Sequence, residues 1–281
     1  MAVGTSLINI GELSKPATVL IEKISEAVGG MCRPYQIRRI AEAEADASII
    51  SAQANIQITD LQRRAAQRFL AEEAQKQQNI EDITQKALPN IANDAKPENM
   101  ENDWITNFFD KGRLVSDQEM QEIWSKILAG EANKPGCCSK RTVNLLSSMD
   151  KREAELFKKL CTFVWDIFGL IPLIYDCQAS IYNDAGINFN TLQHLELAGL
   201  IKFGNIGEFK IQKLKQEVIA AYYRQPYRIK FLLPEDNDFA IGSVILTEPG
   251  KQLALVCGST PNSAFRDYIL DRWKGLDVSP A

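Results

Sequence analysis

The stretch "EMQEIWSKILAGEANKPGCCSKRT", residues 119–142, contains the end of one helix and the start of the next. Gly130 is predicted to supply the left-handed residue that ends the first helix, and Pro135 prevents its continuation. Ser139 is predicted to cap the following helix. The first helix is amphipathic because its apolar residues recur at helical spacing, namely Met120, Ile123, Trp124, Ile127 and Leu128. The stretch is therefore interpreted as a corner between two helices.

The corner also holds charged residues and two cysteines. Lys140 and Arg141 lie in the first turn of the second helix and oppose its dipole, which predicts a nearby carboxylate such as Glu131. Cys137 and Cys138 are adjacent, so their side chains are expected to project apart. No second cysteine pair has the spacing of a metal-binding motif. The sequence therefore predicts no metal site here.

Upstream, two helical segments precede the corner. The segment "SKPATVLIEKISEAVGG" is predicted to be an amphipathic helix capped by Ser14 and closed by Gly29 and Gly30. From Tyr35 to Leu88 the chain contains neither glycine nor proline and is rich in strong helix formers, which predicts one long rod of coiled-coil type.

The rod has a narrow apolar stripe that needs a partner. Self-association of the chain is the favoured interpretation, and a hairpin within the chain is the alternative. The residues predicted to make the self-association contacts are Ile50, Ala54, Ile58, Leu61 and Phe69.

Residues 98–170 are predicted to form a compact helical domain. Ser116 and Glu119 are predicted to form a capping box, and so are Asp150 and Glu153. The helix that starts after Asp150 is expected to place six residues inward, namely Phe157, Leu160, Cys161, Val164, Trp165 and Phe168.

Residues 171–281 mix helices with strands. A short helix, the Gly199 stop, a strand, a hairpin and a helix capped by Thr247 follow one another in the order of a winged-helix module. The predicted fold class is therefore mainly α with a C-terminal α+β, winged-helix-like module and a long N-terminal helix of coiled-coil type. The predicted segments are an amphipathic helix at 1–30, the rod at 31–92, the helical domain at 98–170 and the α+β module at 171–281.

Composition excludes several classes of protein. The 281 residues carry a net charge of −4, so the whole chain has no cationic field for nucleic acid or anionic lipid. The six cysteines never form C-x-x-C, which favours reduced thiols and a cytoplasmic location. His194 is the single histidine, and the glycine-rich phosphate-binding motifs are missing. The sequence therefore predicts no catalytic residue, no cofactor and no metal.

The residues 104–142 carry a resemblance to a bacterial family known only as a domain of unknown function. The shared signature is W-x-x-x-F-F, then S-D-x-x-M-Q-x-x-W-x-x-x-L-A-G-E, then P-G-x-x-S-x-R-T. The Cys137–Cys138 pair is the departure from it. More distantly, the layout resembles abortive-infection alpha proteins, which share an N-terminal helix, a helical middle and a C-terminal L-T-x-x-G segment. This second resemblance implies a role in bacterial antiphage defence.

Three functions follow from these observations. The favoured one is a non-enzymatic, homo-oligomeric interaction protein of antiphage defence, which recognises a protein partner or phage component through its C-terminal module. The second is a nucleic-acid-binding regulator, because residues 186–232 hold seven basic and three acidic residues. Its predicted contacts are Lys210, Lys213, Lys215, Arg224, Arg228 and Lys230. The third is an effector that perturbs membranes through peripheral contact of residues 1–30.

Overall fold

The chain divides after Val143 into two compact units. The structure is a computed structural model that describes residues 13–29, 60–204 and 207–281. The predicted self-association residues Ile50, Ala54 and Ile58 lie outside these residues.

The N-terminal unit is helical in its described part. Its helices are α1 (Lys15–Val28), α2 (Asp60–Ala87), α3 (Asn102–Gly112), α4 (Gln118–Asn133) and α5 (Lys140–Ser148), the last of which crosses the division. Two short 3-10 helices, Leu88–Asn90 and Pro97–Asn99, connect α2 to α3.

Aromatic side chains at helical spacing form the core of this unit. Trp104 and Phe108 of α3 stack with ring centroids 5.0 Å apart, and Phe108 meets Trp124 of α4 edge-on at 4.9 Å. The apolar face of α1 packs on α3, and the second half of α2 packs on α4. Ile83 of α2 is fully buried there. The end of the predicted stripe is therefore covered by the chain itself.

Most helix ends agree with the sequence, with two corrections. Ser14 caps α1 as predicted, because its hydroxyl accepts a hydrogen bond from the Ala17 amide. The predicted cap Ser116 is wrong, since Asp117 caps α4 through the amides of Glu119 and Met120. The predicted end at Gly130 is also wrong.

Helix α4 continues past Gly130 to Asn133 because glycine is tolerated inside a helix at a cost of about 1 kcal/mol relative to alanine. The chain then turns at Pro135 and Gly136. The left-handed glycine of the corner is Gly136, at φ 86°.

The C-terminal unit combines helices with antiparallel strands. After α5 come α6 (Lys151–Cys161), β1 (Val164–Asp166), β2 (Leu170–Pro172), α7 (Ser180–Asn183), α8 (Phe189–Leu197), β3 (Ile201–Phe203), β4 (Phe209–Leu214), β5 (Glu217–Tyr222), β6 (Gln225–Lys230), β7 (Asn237–Gly242), β8 (Val244–Leu246), α9 (Glu248–Ala254), α10 (Ser263–Arg272) and β9 (Asp277–Pro280). The prediction of a mainly α chain with an α+β C-terminus is confirmed.

The helix predicted to reach Phe168 is shorter than expected. The Asp150–Glu153 capping box is present and opens α6, but the helix ends at Cys161. Val164 and Trp165 lie on β1, and Phe168 is at the tip of the β1–β2 hairpin with φ 56° and 73% of its surface exposed. The aromatic and β-branched residues after Cys161 favour a strand, and pairing with β2 and β5 stabilises it.

The largest sheet of the unit has the strand order β2-β1-β5-β6-β9, with neighbours antiparallel. Trp165 of β1 is fully buried, stacked on Tyr222 at 5.1 Å and edge-on to Trp273 at 4.9 Å. Two further pairs, β3 with β8 and β4 with β7, complete the described strands.

The predicted order of helix, glycine turn, strand and capped helix is confirmed. Helix α8 is capped by Asn188, Gly199 turns the chain at φ 80°, and β3 follows and pairs with β8. Thr247 then caps α9 by accepting a hydrogen bond from the amide of Gly250. These contacts fix α8 and α9 around one short antiparallel ladder.

Candidate functional site

The first half of α2 is an exposed helix segment, residues 60–75, in which every side chain is exposed. Leu61 and Leu70 are each 68% exposed and Phe69 is 61% exposed. The predicted contact residues Leu61 and Phe69 therefore lie on a surface that the described part of the chain leaves open. Leu61, Ala65 and Phe69 follow one another at four-residue spacing along it.

Charge is distributed unevenly along the exposed helix segment. Arg63, Arg64 and Arg68 lie in its first part, whereas Glu72 and Glu73 lie in its last part. Two ion pairs join neighbouring turns, from Arg64 to Asp60 at 3.1 Å and from Arg68 to Glu72 at 3.4 Å. Such exposed pairs stabilise a helix by only about 0.3–0.5 kcal/mol each. They do not substitute for tertiary packing.

The α4–α5 corner brings Glu131, Cys137 and Cys138 together. The Sγ atoms of the two cysteines are 3.5 Å apart, so the expectation that these adjacent side chains project apart is wrong. The Glu131 carboxylate accepts hydrogen bonds from the amides of Gly136, at 2.6 Å, and Cys138, at 2.9 Å. One of its oxygens and the two sulfurs offer ligand atoms that all lie within 4.8 Å of one another.

The local chain conformation produces this convergence. Pro135 and Gly136 occupy the centre of a β-turn in which the Cys137 amide donates to the Lys134 carbonyl at 3.0 Å. Proline followed by a glycine of positive φ is the signature of a type II turn. The reversal places both thiols on the same side of the loop, above the last turn of α4.

The loop is fixed from outside by an indole. The Trp104 Nε1 of α3 donates a 2.6 Å hydrogen bond to the Cys138 carbonyl. Glu131 and Cys138 are buried, and Cys137 is partly exposed. The expected role of Glu131 beside Lys140 is not what the structure has, since Lys140 Nζ lies 3.8 Å from Asp103.

The two thiols have opposite pKa shifts. The hydrogen bond from Cys138 lowers the pKa of Cys137, against the effects of burial and of the Glu131 carboxylate. The same hydrogen bond, together with burial, raises the pKa of Cys138 well above its usual range. Cys137 is therefore the thiol of the pair that ionises first.

The basic residues proposed for nucleic-acid contact lie on separate elements. Lys210 and Lys213 are on β4, with Lys213 at a bulge and φ 57°, and Lys215 follows that strand. Arg228 and Lys230 are on β6 of the five-stranded sheet. All five are exposed.

Acidic partners reduce the charge of the β6 pair. The Arg228 Nε lies 3.0 Å from the Glu217 carboxylate, and Lys230 is opposite Glu217 in the strand register. Arg224 lies in the turn between β5 and β6. The structure thus leaves three lysines around β4 as the denser cationic group among these residues.

A cleft in the C-terminal unit was not anticipated from the sequence. It has a volume of about 540 Å³, and its lining includes Cys161, Tyr223, Arg224 and Ser259. Tyr223 and Arg224 form the two-residue turn between β5 and β6, with φ 46° and 68°. Asparagine and glycine are the usual residues of such a turn, so this pair gives no turn signal in the sequence.

The thiols beside this cleft are also paired. The hydrogen bond from Cys161 is the main cause that lowers the pKa of Cys257 to about 7. Burial is the main cause that raises the pKa of Cys161 well above its usual range. The Tyr223 hydroxyl lies 2.7 Å from Ser259 Oγ and 3.3 Å from the Cys161 carbonyl.

His194, the single histidine, pairs with a carboxylate. Its Nε2 lies 2.9 Å from Glu153, which also serves in the capping box of α6.

Among the described residues, no helix is both long and apolar enough to cross a membrane.

Comparisons with known proteins place the chain in a family. No curated protein and no solved structure matches it. A family model described as "Protein of unknown function (DUF2806)" matches residues 63–270, which include the α4–α5 corner and most of the C-terminal unit. The chain therefore belongs to the DUF2806 family.

Proposed function

We propose that this protein is a non-enzymatic interaction protein that self-associates through the exposed helix segment of α2. The observation that carries the proposal is that residues 60–75 are helical and exposed on every face. Isolated helices of this length are marginal in water, because packing of an apolar face provides most helical stability in proteins. A partner that covers Leu61 and Phe69 would supply that packing.

The occupant that we infer is a second copy of the chain in antiparallel orientation. An antiparallel pair places the end of one segment that holds Arg63 and Arg64 beside the end of the other segment that holds Glu72 and Glu73. The arginine-rich part of one segment then faces the glutamate-rich part of its partner. Parallel pairing would instead bring like charges together, which disfavours it.

The test is a mass measurement on the full chain. Light scattering after size exclusion should give a multiple of 31.5 kDa for the unmodified protein at micromolar concentration. Phe69→Glu should give 31.5 kDa, because a charge cannot be buried at the centre of the contact. Gln67→Glu is the matched control, since it adds the same charge to an exposed position off the Leu61–Phe69 row, and it should keep the larger mass.

Two results would contradict the proposal. A 31.5 kDa mass for the unmodified protein would remove self-association. An equal effect of Phe69→Glu and Gln67→Glu would show that total charge matters rather than the apolar row. A monomer whose segment is nevertheless protected from proteolysis would identify another part of the same chain as the occupant.

We further propose that the C-terminal module recognises a protein partner or a phage component, in the cytoplasm, as part of bacterial antiphage defence. The support is the winged-helix-like order of α8, β3, β8 and α9 and the resemblance to abortive-infection alpha proteins. Cells that carry the gene should plate fewer phage plaques than cells without it. The Phe69→Glu variant should lose this protection while Gln67→Glu keeps it.

Nucleic-acid binding is the second candidate function, and the exposed lysines around β4 favour it. Lys210, Lys213 and Lys215 lie within six residues, and phosphate contacts of this kind make binding strongly salt-dependent. A DNA mobility shift that weakens with salt and is lost in a triple Lys→Gln variant would support it.

The third candidate, membrane contact through residues 1–30, would require α1 to release the face that Leu20 and Ile24 bury against its own unit.

A further inference from the structure

The α4–α5 corner holds a cluster of soft and hard metal ligands whose role is not explained by helix capping alone. Glu131 alone would complete the corner, since its carboxylate already accepts two amide hydrogens. The two thiols contact each other, and the Cys137 thiol also contacts the Glu131 carboxylate. The turn thus places the thiols 3.5 Å apart beside a carboxylate, an arrangement that capping of the helices does not require.

The sulfur separation matches the bite of a tetrahedral thiolate pair. With zinc–sulfur bonds of about 2.3 Å, two sulfurs on one tetrahedral ion lie about 3.8 Å apart. The observed 3.5 Å requires only a small rotation of one side chain. A linear ion with two thiolates would need a separation above 4 Å, roughly twice the same bond length, so the pair suits tetrahedral geometry better.

The carboxylate is oriented for a third bond. The amides of Gly136 and Cys138 each occupy one lone pair of the Glu131 oxygens, and each oxygen has a further lone pair. Carboxylates that bind metals are commonly held by such hydrogen bonds, which orient them and restrict their motion. The same carboxylate contacts the Cys137 thiol, so the third ligand atom is close to the sulfur pair.

The corner is rigid, and it is open on one side. Trp104 holds the Cys138 carbonyl, and the type II turn fixes the loop between the ligands. Cys137 is partly exposed, which gives an ion access from solvent. Lys134, whose charge acts on Cys137, would offset part of the negative charge of two thiolates and a carboxylate.

We propose that Glu131, Cys137 and Cys138 bind one thiophilic divalent ion of the zinc class, with water as the fourth ligand. The ion joins the last turn of α4 to the loop that begins α5, so it stabilises the corner. Binding releases the two thiol protons to solvent, and it needs no oxidant or reductant.

The experiment is a metal titration of the full chain, reduced and stripped of metal by a chelator. Zn²⁺ is added in competition with a chromogenic chelator, and Cd²⁺ is added separately to observe the thiolate-to-cadmium absorption in the ultraviolet. We expect one ion per chain, the charge-transfer band, and a higher melting temperature with Zn²⁺. Cys177→Ser is the matched control and should behave as the unmodified protein, because Cys177 is also a partly exposed free thiol.

Replacement of the two proposed cysteine ligands tests whether they bind the ion. Cys137→Ser should weaken Zn²⁺ binding by at least ~10-fold, since loss of groups that merely orient ligands already costs 10–100-fold. Cys138→Ser should do the same, and the double variant should lose the cadmium band. Circular dichroism without metal checks that each variant is folded, and Cys137→Ser is the safer one because its side chain is partly exposed.

Three results would overturn the proposal. The first is the absence of the cadmium band in the unmodified protein. The second is Zn²⁺ binding that the double variant retains in full. The third is a corner that air oxidises to a Cys137–Cys138 disulfide while the reduced protein takes up no ion, which would assign the thiol pair to redox chemistry instead.

Discussion

Gly250→Ala should destabilise the C-terminal unit although alanine is the better helix former. Gly250 is in the first turn of α9, where exchange to alanine alone would stabilise the helix by about 1 kcal/mol. A Cβ at this position would lie 2.0 Å from the Leu200 carbonyl oxygen, which is a backbone atom and cannot rotate away. The start of α9 must therefore move by about 1 Å or more.

The magnitude follows from the contacts that this movement disturbs. The Thr247 amide donates to the Leu200 carbonyl at 3.0 Å, and the Thr247 hydroxyl donates to the Gly199 carbonyl at 2.6 Å. Overpacking costs about 1–3 kcal/mol, and each lost hydrogen bond costs about 1 kcal/mol. After the propensity gain, we expect a net loss of about 2–4 kcal/mol in the free energy of unfolding.

Urea unfolding, followed by tryptophan fluorescence and by circular dichroism, measures this change. A loss of 2–4 kcal/mol corresponds to a decrease in melting temperature of about 5–12 °C. Gly275→Ala is the control, because a Cβ there meets no atom within 4 Å, and it should be neutral or stabilise by up to ~1 kcal/mol. A Gly250→Ala protein as stable as the unmodified one would refute the reasoning, since propensity would then outweigh the backbone contact.

Two further predictions concern single groups. Trp104→Phe should lower the free energy of unfolding in urea by about 1–3 kcal/mol more than Trp124→Phe does. The Trp104 indole N–H donates a hydrogen bond to the Cys138 carbonyl, whereas the buried Trp124 N–H has no partner in the structure. Equal losses would contradict this. The free energy of unfolding should rise from pH 7 to pH 9, because the pKa of Cys257 is about 7 in the folded protein against 9.0 in the unfolded chain, so the folded state binds fewer protons there. The rise in the free energy of unfolding is at most ~2.7 kcal/mol. It should vanish in Cys161→Ala, which removes the hydrogen bond that lowers the pKa of Cys257. A rise that persists in this variant would show that another group causes it.

Local signals in the sequence predicted helix starts well, since an N-cap depends on a few neighbouring residues. Ser14, Thr247 and the Asp150–Glu153 box are caps in the structure. Ser116 failed because Asp117, one residue later, is an equally good cap, and the sequence does not fix which of the two is at the helix start.

Contacts between residues far apart in the sequence determine the features that local sequence patterns did not predict. Val164 and Trp165 continue the apolar spacing of α6, but they lie on β1 because β2 and β5 pair with it, and β5 is some fifty residues away in the sequence. The cleft beside Tyr223 and Arg224 was missed for a related reason. Its turn contains two residues with positive φ that are neither glycine nor asparagine, a conformation that surrounding packing must impose.

The cysteine pair shows how a general expectation fails at a particular turn. Adjacent side chains diverge in regular helices and strands, and that rule led to the prediction of no metal site. In the corner, Gly136 reverses the chain, so the thiols converge over Glu131. The turn could be predicted from Pro135 and Gly136, but the direction of the side chains that follow the turn could not.

In the α4–α5 corner, the residues that build the turn are distinct from the two thiols of the proposed ion site. Glu131, Pro135 and Gly136 build the turn and hold it through the carboxylate–amide bonds. The turn does not depend on the two thiols, so replacing them tests ion binding separately from the turn. Without metal, the Cys137→Ser, Cys138→Ser double variant should melt within about 2 °C of the unmodified protein, because the hydrogen bonds of the scaffold stay intact. With Zn²⁺, it should lack the increase in melting temperature that the unmodified protein shows. A double variant whose corner unfolds without metal would show that the thiols are part of the scaffold and would remove this distinction.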